Sequence, residues 1–297
     1  MAPEAPKVTV IIPTYNLGRI LRYTLESVLL QDFPDFEVWV VGDGCTDDTE
    51  SVVRSFADPR IRWLNLPENS GTPSRPRNEA IKRAKGEYIA YLGHDDLWFP
   101  WHLSELLSCM EETKCDLAYS IGVIVEPGGV TGSFTMAENP WDGRFHLSPS
   151  NWLHRKTLTD RIGLWSSRIR YGDDREFIRR AGIHGSPMAF QSRLTALKFP
   201  AVPWKMYALQ SEYPQETCLG AMKKDPGALC LSLLCECAAL LSRREKPADE
   251  SSYRGRLPVP LIKLIRWTIA VYGQQRWPLN YFLFRIWKKR SGVSKVR

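Results

Sequence analysis

Paired cysteine motifs are absent from this sequence. The 297-residue chain has seven cysteines, an odd number, and none of them is spaced as Cys-x-x-Cys. Neither a cysteine-based zinc site nor a disulfide framework is therefore expected. Reduced thiols are typical of proteins that face the cytoplasm, which is the predicted location.

Long apolar runs are also missing. No stretch approaches the roughly 20 apolar residues that a membrane-spanning helix needs, and residues 1–7 contain no apolar core of a signal peptide. Hydrophobic residues nevertheless make up 43% of the chain, which is ample for a packed core. The sequence predicts a soluble protein or one that is peripheral to a membrane.

The two common phosphate-binding fingerprints are absent as well. No GxxxxGK[ST] loop occurs, and the Gly-x-Gly at Gly42–Gly44 lacks the third glycine of the dinucleotide motif. This pair of glycines also follows the second predicted strand, whereas the fingerprint follows the first strand of its βαβ unit. P-loop and dinucleotide-binding proteins are therefore excluded.

Acidic residues are missing from the last 47 positions. Residues 251–297 carry eleven Lys or Arg and no Asp or Glu, which leaves 29 basic and 33 acidic side chains in residues 1–250. The basic residues alternate with aromatic and apolar ones, as in a helix that lies on an anionic membrane surface. The alternative is a tail that packs on the domain or on a partner. Because no recognition motif accompanies the basic residues, no nucleic-acid partner is expected.

The first 92 residues alternate between buried strands and amphipathic helices. Apolar, β-branched runs predict strands at 8–13, 36–41, 61–66 and 86–92, and helical spacing predicts helices at 20–30, at 49–56 and around 77–84. This order is typical of a doubly wound α/β sheet. Polar residues follow three of the strands: Thr14, Tyr15 and Asn16; Asp43; and His94, Asp95 and Asp96.

Ligands of such sheets bind at the carboxyl ends of the strands, where these residues lie. Adjacent carboxylates repel each other and call for a cation or a basic partner, so Asp95 and Asp96 favour Mg²⁺ or Mn²⁺ holding a diphosphate. The alternative for this pair is a solvated turn that caps a helix.

Five segments in order resemble the family 2 glycosyltransferases, which are inverting enzymes of the GT-A fold. They are residues 10–16 (VIIPTYN), 40–49 (VVGDGCTDDT), Asn69 with Arg77–Asn78, 86–96 (GEYIAYLGHDD), and 162–177, which includes YGDDREF. The resemblance implies a Rossmann-like, mostly parallel sheet flanked by helices, followed by a helical basic C-terminal extension. The domains implied are 1–210 for the GT-A domain, 211–250 for a helical extension and charged linker, and 251–297 for the basic aromatic tail.

The same resemblance implies roles for individual residues. The nucleotide-sugar would contact Pro13, Thr14, Tyr15, Asn16, Asp43, Arg77 and Asp95. Asp95 and Asp96 would hold Mn²⁺ or Mg²⁺, and Asp174 would be the catalytic base, with Asp173 as the fallback. Structural alternatives remain open: turn chemistry for Thr14 and Asp43, a surface arginine at 77, and a helix N-cap for the Asp173–Asp174 pair.

The chain departs from the family pattern at two positions. Gly42 and Gly93 stand where the family usually has the leading aspartate of its motif, and His94 then either ligates the metal or faces solvent. Two hypotheses follow. The first is an inverting, metal-dependent transferase that acts on a glycan or a lipid-linked precursor, and the second is a degenerate nucleotide-sugar-binding or scaffold protein.

Further expectations concern other parts of the chain. Residues 116–125 are expected to form a strand, and the Gly128–Gly129 turn fits a hairpin. Residues 201–207 are expected to form a strand. A helix is expected to begin at Asp225–Pro226, and its residues Cys230, Cys235 and Cys237 are expected to lie in the protein core. Trp98, Trp141 and Trp165 either stack on a sugar or belong to the core.

Overall fold

The structure is a computed structural model that describes residues 5–134, 147–169, 171–200 and 213–244. Within these ranges the strands are β1 Val8–Thr14, β2 Phe36–Gly42, β3 Ile61–Asn65, β4 Tyr88–Tyr91, β5 Leu97–Trp98, β6 Leu117–Glu126, β7 Gly129–Phe134, β8 Trp152–Arg155 and β9 Met188–Lys198. The helices are α1 Gly18–Leu29, α2 Thr49–Ser55, α3 Ser74–Arg83, α4 His102–Thr113, α5 Lys156–Ile162, α6 Asp173–Ile183, α7 Pro214–Lys224 and α8 Pro226–Arg244.

The first four strands form the predicted parallel sheet. Their order is β3-β2-β1-β4, and every pairing among them is parallel. All seven residues of β1 are buried because helices cover both faces of the sheet. Val10 packs with α1, α2 and α4 on one face, whereas its neighbour Ile11 packs with α3, α5 and α6 on the other.

The second half of the sheet is mixed rather than parallel. Strand β8 pairs antiparallel with both β4 and β6, and β6 forms the predicted hairpin with β7 through Gly128–Gly129. Strand β9 then pairs parallel with β6 and antiparallel with the short β5. This arrangement brings the end of β9 beside the turn that follows β4, at the edge of the sheet where polar residues were predicted.

Two helices follow the sheet in the described chain. Helix α8 begins at Pro226 as predicted, and Asp225 caps it by accepting a hydrogen bond from the backbone N–H of Ala228 at 2.9 Å. Cys230 and Cys237 are buried, but Cys235 is exposed, so its predicted place in the core is wrong. Helix α7, which packs on α1, lies within the helical extension implied for 211–250, but no separate helix was predicted there.

Several predictions fall on residues outside the described ranges. These are the strand at 201–207, Trp141 and the basic tail at 251–297. Among the helices that the structure describes, none combines the length and the apolar character required to cross a bilayer.

Candidate active site

An open cleft of about 430 Å³ lies at the carboxyl ends of β1, β2 and β4. This volume is in the range of sites that bind small molecules and cofactors. Six of the predicted residues line it: Pro13, Thr14, Tyr15, Asp43, Arg77 and Asp95. Three others, Asn16, Asp96 and Asp174, lie outside its lining. The sheet topology therefore brings most of the predicted donor-site residues together.

Asp43 is held at the cleft by a loop that the sequence did not assign to the site. Both carboxylate oxygens accept hydrogen bonds from the Ser70 hydroxyl, at 2.9 and 3.0 Å, and Oδ2 also accepts from the Ser70 backbone N–H at 2.9 Å. Asn69, Gly71, Thr72 and Pro73 from the same loop line the cleft. Asp43 thus has a fixed orientation before any ligand binds.

Asn16 supports the turns around the cleft instead of lining it. Its backbone has a φ of +46°, a left-handed conformation that asparagine tolerates better than most residues. Its side-chain oxygen accepts a hydrogen bond from the backbone N–H of Thr46 at 2.8 Å and a longer one from Asp47. Asn16 therefore joins the turn after β1 to the turn after β2.

His94 bonds to the first strand. Its Nδ1 lies 3.1 Å from the hydroxyl oxygen of Thr14, and both residues line the cleft. Burial lowers the pKa of His94, although Asp95 and Asp96 oppose this shift. The Thr24 hydroxyl on α1 lies 3.0 Å from the carbonyl oxygens of both His94 and Asp96, which fixes the turn that follows β4.

Asp96 is fully buried and its carboxylate is bonded to three groups of the protein. The Ser150 hydroxyl donates to Oδ2 at 2.6 Å, Lys198 pairs with the same oxygen at 3.2 Å, and the Phe199 N–H donates to Oδ1 at 3.1 Å. Burial raises the pKa of Asp96, and the Lys198 ammonium opposes that rise. Asp96 thus ties the turn after β4 to the end of β9.

Asp95 lines the cleft, whereas Asp96 does not. The residue Asp95 is 8% exposed, and its backbone carbonyl accepts a hydrogen bond from Gln215 on α7 at 3.0 Å. In the described part of the chain, no cluster of three or more His, Cys, Asp or Glu is arranged to hold a metal. A single carboxylate still fits Mg²⁺ or Mn²⁺, because such ions commonly take one or two protein carboxylates and complete their shell with substrate phosphates and water.

Neighbouring side chains fill the space beside the two glycines that depart from the family pattern. A Cβ at position 42 would lie 2.5 Å from the Asn65 side-chain oxygen and 2.7 Å from the Trp63 ring. Asn65 holds the turn after β2 by bonding both the N–H and the carbonyl of Cys45, at 2.8 and 2.9 Å. A Cβ at Gly93 would similarly lie 2.7 Å from Asp96 Oδ2. Other side chains thus occupy the space that aspartate side chains at positions 42 and 93 would need.

A second acidic pair lies at the start of α6, next to Arg77 in the wall of the cleft. Asp173 Oδ2 accepts from Arg77 Nη1 at 2.7 Å and from the Ser74 hydroxyl at 3.0 Å. Burial lowers the pKa of Arg77, whereas the charges of Asp173 and Asp174 raise it. Asp174, 7% exposed, accepts a hydrogen bond from the backbone N–H of Arg175 at 2.7 Å. Both aspartates belong to the first turn of the helix, but the N-cap residue is Gly172, so neither aspartate is the N-cap that the structural alternative expected.

The predicted aromatic residues that the structure describes belong to the core. Trp98 is fully buried and stacks on His102 with ring centroids 4.0 Å apart. Trp165 stacks on Phe177 at 4.6 Å, and the guanidinium carbon of Arg77 lies 4.3 Å from the centre of its ring. Trp165 therefore packs against the guanidinium of Arg77 without lining the cleft.

Comparison with known families and proteins gives matches over most of the described chain. The profile of Glycosyl transferase family 2 matches residues 9–184. Poly(ribitol-phosphate) beta-N-acetylglucosaminyltransferase TarS of Staphylococcus aureus is 34% identical over 195 residues, which are 63% of this chain and 34% of TarS. The Escherichia coli enzyme WfaP, a UDP-Glc:alpha-D-GlcNAc-diphosphoundecaprenol beta-1,3-glucosyltransferase, is 31% identical over 170 residues, which are 57% of this chain and 67% of WfaP.

Solved structures share the fold at lower identity. The crystal structure of S. aureus TarS 1–349 in complex with UDP superposes with a TM-score of 0.58 at 20% identity, covering 94% of this chain and 87% of the other. The mannosyltransferase PcManGT of Pyrobaculum calidifontis, in complex with GDP-Man and Mn²⁺, gives 0.53 at 19% identity, covering 99% and 89%. These likenesses confirm the predicted GT-A fold. The chain spans between a third and a half of the length of the first curated relatives that it matches.

Proposed function

The chain belongs to Glycosyl transferase family 2, and from this we propose that it transfers a sugar, with inversion, from a nucleoside-diphosphate sugar to a hydroxyl acceptor. The observation that carries the proposal is the cleft at the strand ends, where Asp43, Arg77 and Asp95 line one cavity. Such a donor requires a carboxylate that binds the nucleotide base, an arginine that binds the phosphates and a carboxylate that binds the metal.

A divalent cation, Mn²⁺ or Mg²⁺, would be held by Asp95 together with the donor. The geometry favours Asp95 over Asp96, since both Asp96 oxygens already bond to Ser150, Lys198 and the Phe199 N–H. When bound, the cation supplies counter-charge for the departing diphosphate. The assignment of Asp96 as a second metal ligand remains a prediction from the sequence.

Asp174 would accept the proton of the acceptor hydroxyl as that oxygen attacks the anomeric carbon from the side opposite the diphosphate. Asp173, the fallback, is the poorer base because Arg77 and Ser74 already bond to its Oδ2. Arg77 would stabilise negative charge on the diphosphate from the wall of the cleft. The residues Pro13, Thr14 and Tyr15 would bind the nucleoside beside Asp43.

The names and complexes of the relatives support a proposal for the donor and the acceptor. TarS has been crystallised with UDP and with UDP-GlcNAc, and the name of WfaP specifies UDP-Glc and a diphosphoundecaprenol-linked acceptor. A uridine diphosphate sugar and a glycan or lipid-linked acceptor are accordingly proposed for this chain. Contact with a membrane surface through residues 251–297 stays a prediction from the sequence.

Proton NMR of donor hydrolysis tests the proposal without knowledge of the acceptor, because water replaces it. The full chain is incubated with Mn²⁺ and UDP-Glc, UDP-GlcNAc or GDP-Man, and the anomeric signals are followed from the first minutes. An α-linked donor should release the β-anomer first, and Asp174→Asn should abolish the release. A folded wild-type protein that binds a nucleoside diphosphate but turns over none of these donors would favour the non-catalytic alternative.

A further inference from the structure

One face of α3 contacts the segment that leads into α6. Ser74, Arg77 and Asn78 lie at helical spacing i, i+3 and i+4, so they share this face. Ser74 and Arg77 both donate to Asp173 Oδ2, at 3.0 and 2.7 Å. The Asn78 amide exchanges two hydrogen bonds with the backbone of Trp165, at 2.8 and 2.9 Å. Both ends of the segment from 165 to 173 are therefore attached to one helix.

Arg77 belongs to this attachment and to the cleft at the same time. Its side chain is 9% exposed, it lines the cleft, and its guanidinium packs over Trp165 at 4.3 Å. Nη1 bonds to Asp173, whereas Nε is buried and has no hydrogen-bond partner among the described residues. A buried guanidinium with donor capacity to spare, next to a cleft, is suited to a second anionic partner.

Asp173 is also the first residue of α6, and Asp174 is the second. Because the two aspartates are adjacent in the first helical turn, a shift of Asp173 is expected to shift Asp174 as well. The bond between Arg77 and Asp173 therefore connects the wall of the cleft with the residue proposed as the base.

We propose that Asp173 is a positioning residue that shares Arg77 with the diphosphate of the donor and so couples occupation of the cleft to the placement of Asp174. This inference rests on the proposed function. Its consequence is specific: neutralising Asp173 leaves more of the Arg77 charge for a diphosphate, while the first turn of α6 loses its attachment. Diphosphate binding should tighten and turnover should fall, whereas a merely structural role would weaken both.

Calorimetry with Mn²⁺ and the tightest binder among UDP, GDP, dTDP and CDP measures the first effect on the full chain. Asp173→Asn should lower the Kd roughly three- to tenfold, since removal of one nearby negative charge strengthens the attraction of Arg77 for the ligand. Glu79→Gln is the matched control. It makes the same charge change on α3, but Glu79 pairs with Lys82 and Arg83 instead of the cleft residues, so its Kd should stay within about twofold.

A folded Asp173→Asn protein whose Kd is unchanged or higher would overturn the inference. Failure of the wild type to bind any of the four nucleoside diphosphates would instead overturn the proposed function, on which the inference depends. The two failures are thus distinguishable within one set of titrations.

Hydrogen exchange on the wild type gives a test that no folding defect can obscure. This matters because Asp173→Asn leaves a buried arginine without its counter-charge and can prevent folding. Addition of the same diphosphate with Mn²⁺ should speed amide exchange in residues 173–177 of α6, because the ligand competes with Asp173 for Arg77 and so weakens the attachment of the first turn. Helix α5 should not change. Unaltered or slower exchange in residues 173–177 at saturating ligand would overturn the coupling.

Discussion

Two pairs of adjacent aspartates are connected with the cleft, and the two members of each pair have different hydrogen-bond partners. In the turn after β4, Asp96 is bonded to Lys198, Ser150 and Phe199 while Asp95 lines the cleft. At the start of α6, Asp173 is bonded to Arg77 and Ser74 while Asp174 bonds to the local backbone of its helix.

The comparison shows how a protein can keep two carboxylates side by side. Neighbouring negative charges in a poorly solvated site repel, and one cation of the protein relieves the repulsion in each pair. Lys198 serves Asp96 as a compact charge, whereas Arg77 pairs with Asp173 and also lines the cleft. In our account, one carboxylate of each pair fixes a turn and the other performs chemistry.

The largest expected difference lies within the second pair. Asp174→Asn should reduce turnover of the nucleotide-sugar by roughly 10³-fold, the usual contribution of a general base. The Kd of the nucleoside diphosphate should stay within about threefold, because a base acts in the transition state and does not hold the bound diphosphate. Donor hydrolysis and calorimetry measure the two quantities. Asp160→Asn, an exposed position on α5, is the control. Retained turnover in Asp174→Asn would move the role of base to Asp173.

Substitutions of Asp95 and of Asp96 should have different effects, one on metal-dependent binding and the other on stability. Asp95→Asn should weaken Mn²⁺-dependent binding of the diphosphate by roughly tenfold or more, because a carboxylate ligand is lost. Asp96→Asn should instead lower the free energy of unfolding by about 2 kcal/mol, less than for a fully buried pair because Lys198 is 30% exposed. Titration in Mn²⁺ and urea unfolding distinguish the two. The reverse outcome would assign the cation to Asp96.

A side chain added at Gly93 should destabilise the protein by crowding Asp96. In Gly93→Ala the new Cβ would lie 2.7 Å from Asp96 Oδ2, an overpacking that costs roughly 1–3 kcal/mol of stability. Gly128→Ala is the control, since nothing lies within 4 Å of a Cβ there. Thermal unfolding measures both variants. Equal stability of the two would mean that the turn after β4 adjusts freely.

The smallest expected effect concerns the link between α7 and Asp95. Gln215→Ala removes the hydrogen bond to the Asp95 carbonyl, which is worth about 1 kcal/mol. The Kd of the diphosphate with Mn²⁺ should rise a few-fold, and calorimetry in EDTA should show a smaller change. An identical change with and without metal would indicate that α7 acts on the whole cleft and not on Asp95.

The strands and most of the cleft could be predicted from the sequence because their signals are local. Buried β-branched runs identify β1 and β2, and parallel topology then brings Thr14, Asp43 and Asp95 to one edge. The hairpin of β6 and β7 likewise follows from the turn at Gly128–Gly129.

The resemblance ranked Asp174 above Asp173, but the contacts that distinguish the members of each aspartate pair could not be predicted, because the contacting residues are distant in the chain. Ser150 is 54 residues and Lys198 is 102 residues from Asp96, and Arg77 is 96 residues from Asp173. The sequence shows two equivalent carboxylates at each place, and only folding decides which one receives the cation. Helix α7 was missed for a related reason: it packs on α1 partly through polar contacts, such as that of Tyr23 with Glu216, so its apolar pattern is weak.

Calorimetric titration of the wild type with UDP, GDP, dTDP and CDP, each in Mn²⁺ and in EDTA, decides whether the cleft is a metal-dependent nucleotide-sugar site. We expect that one of the four, UDP on the basis of the relatives, binds in Mn²⁺ and weakens at least roughly tenfold in EDTA. Equal binding in Mn²⁺ and EDTA would contradict the cation assigned to Asp95. Absence of binding for all four would contradict the assignment of the cleft as a nucleotide-sugar site.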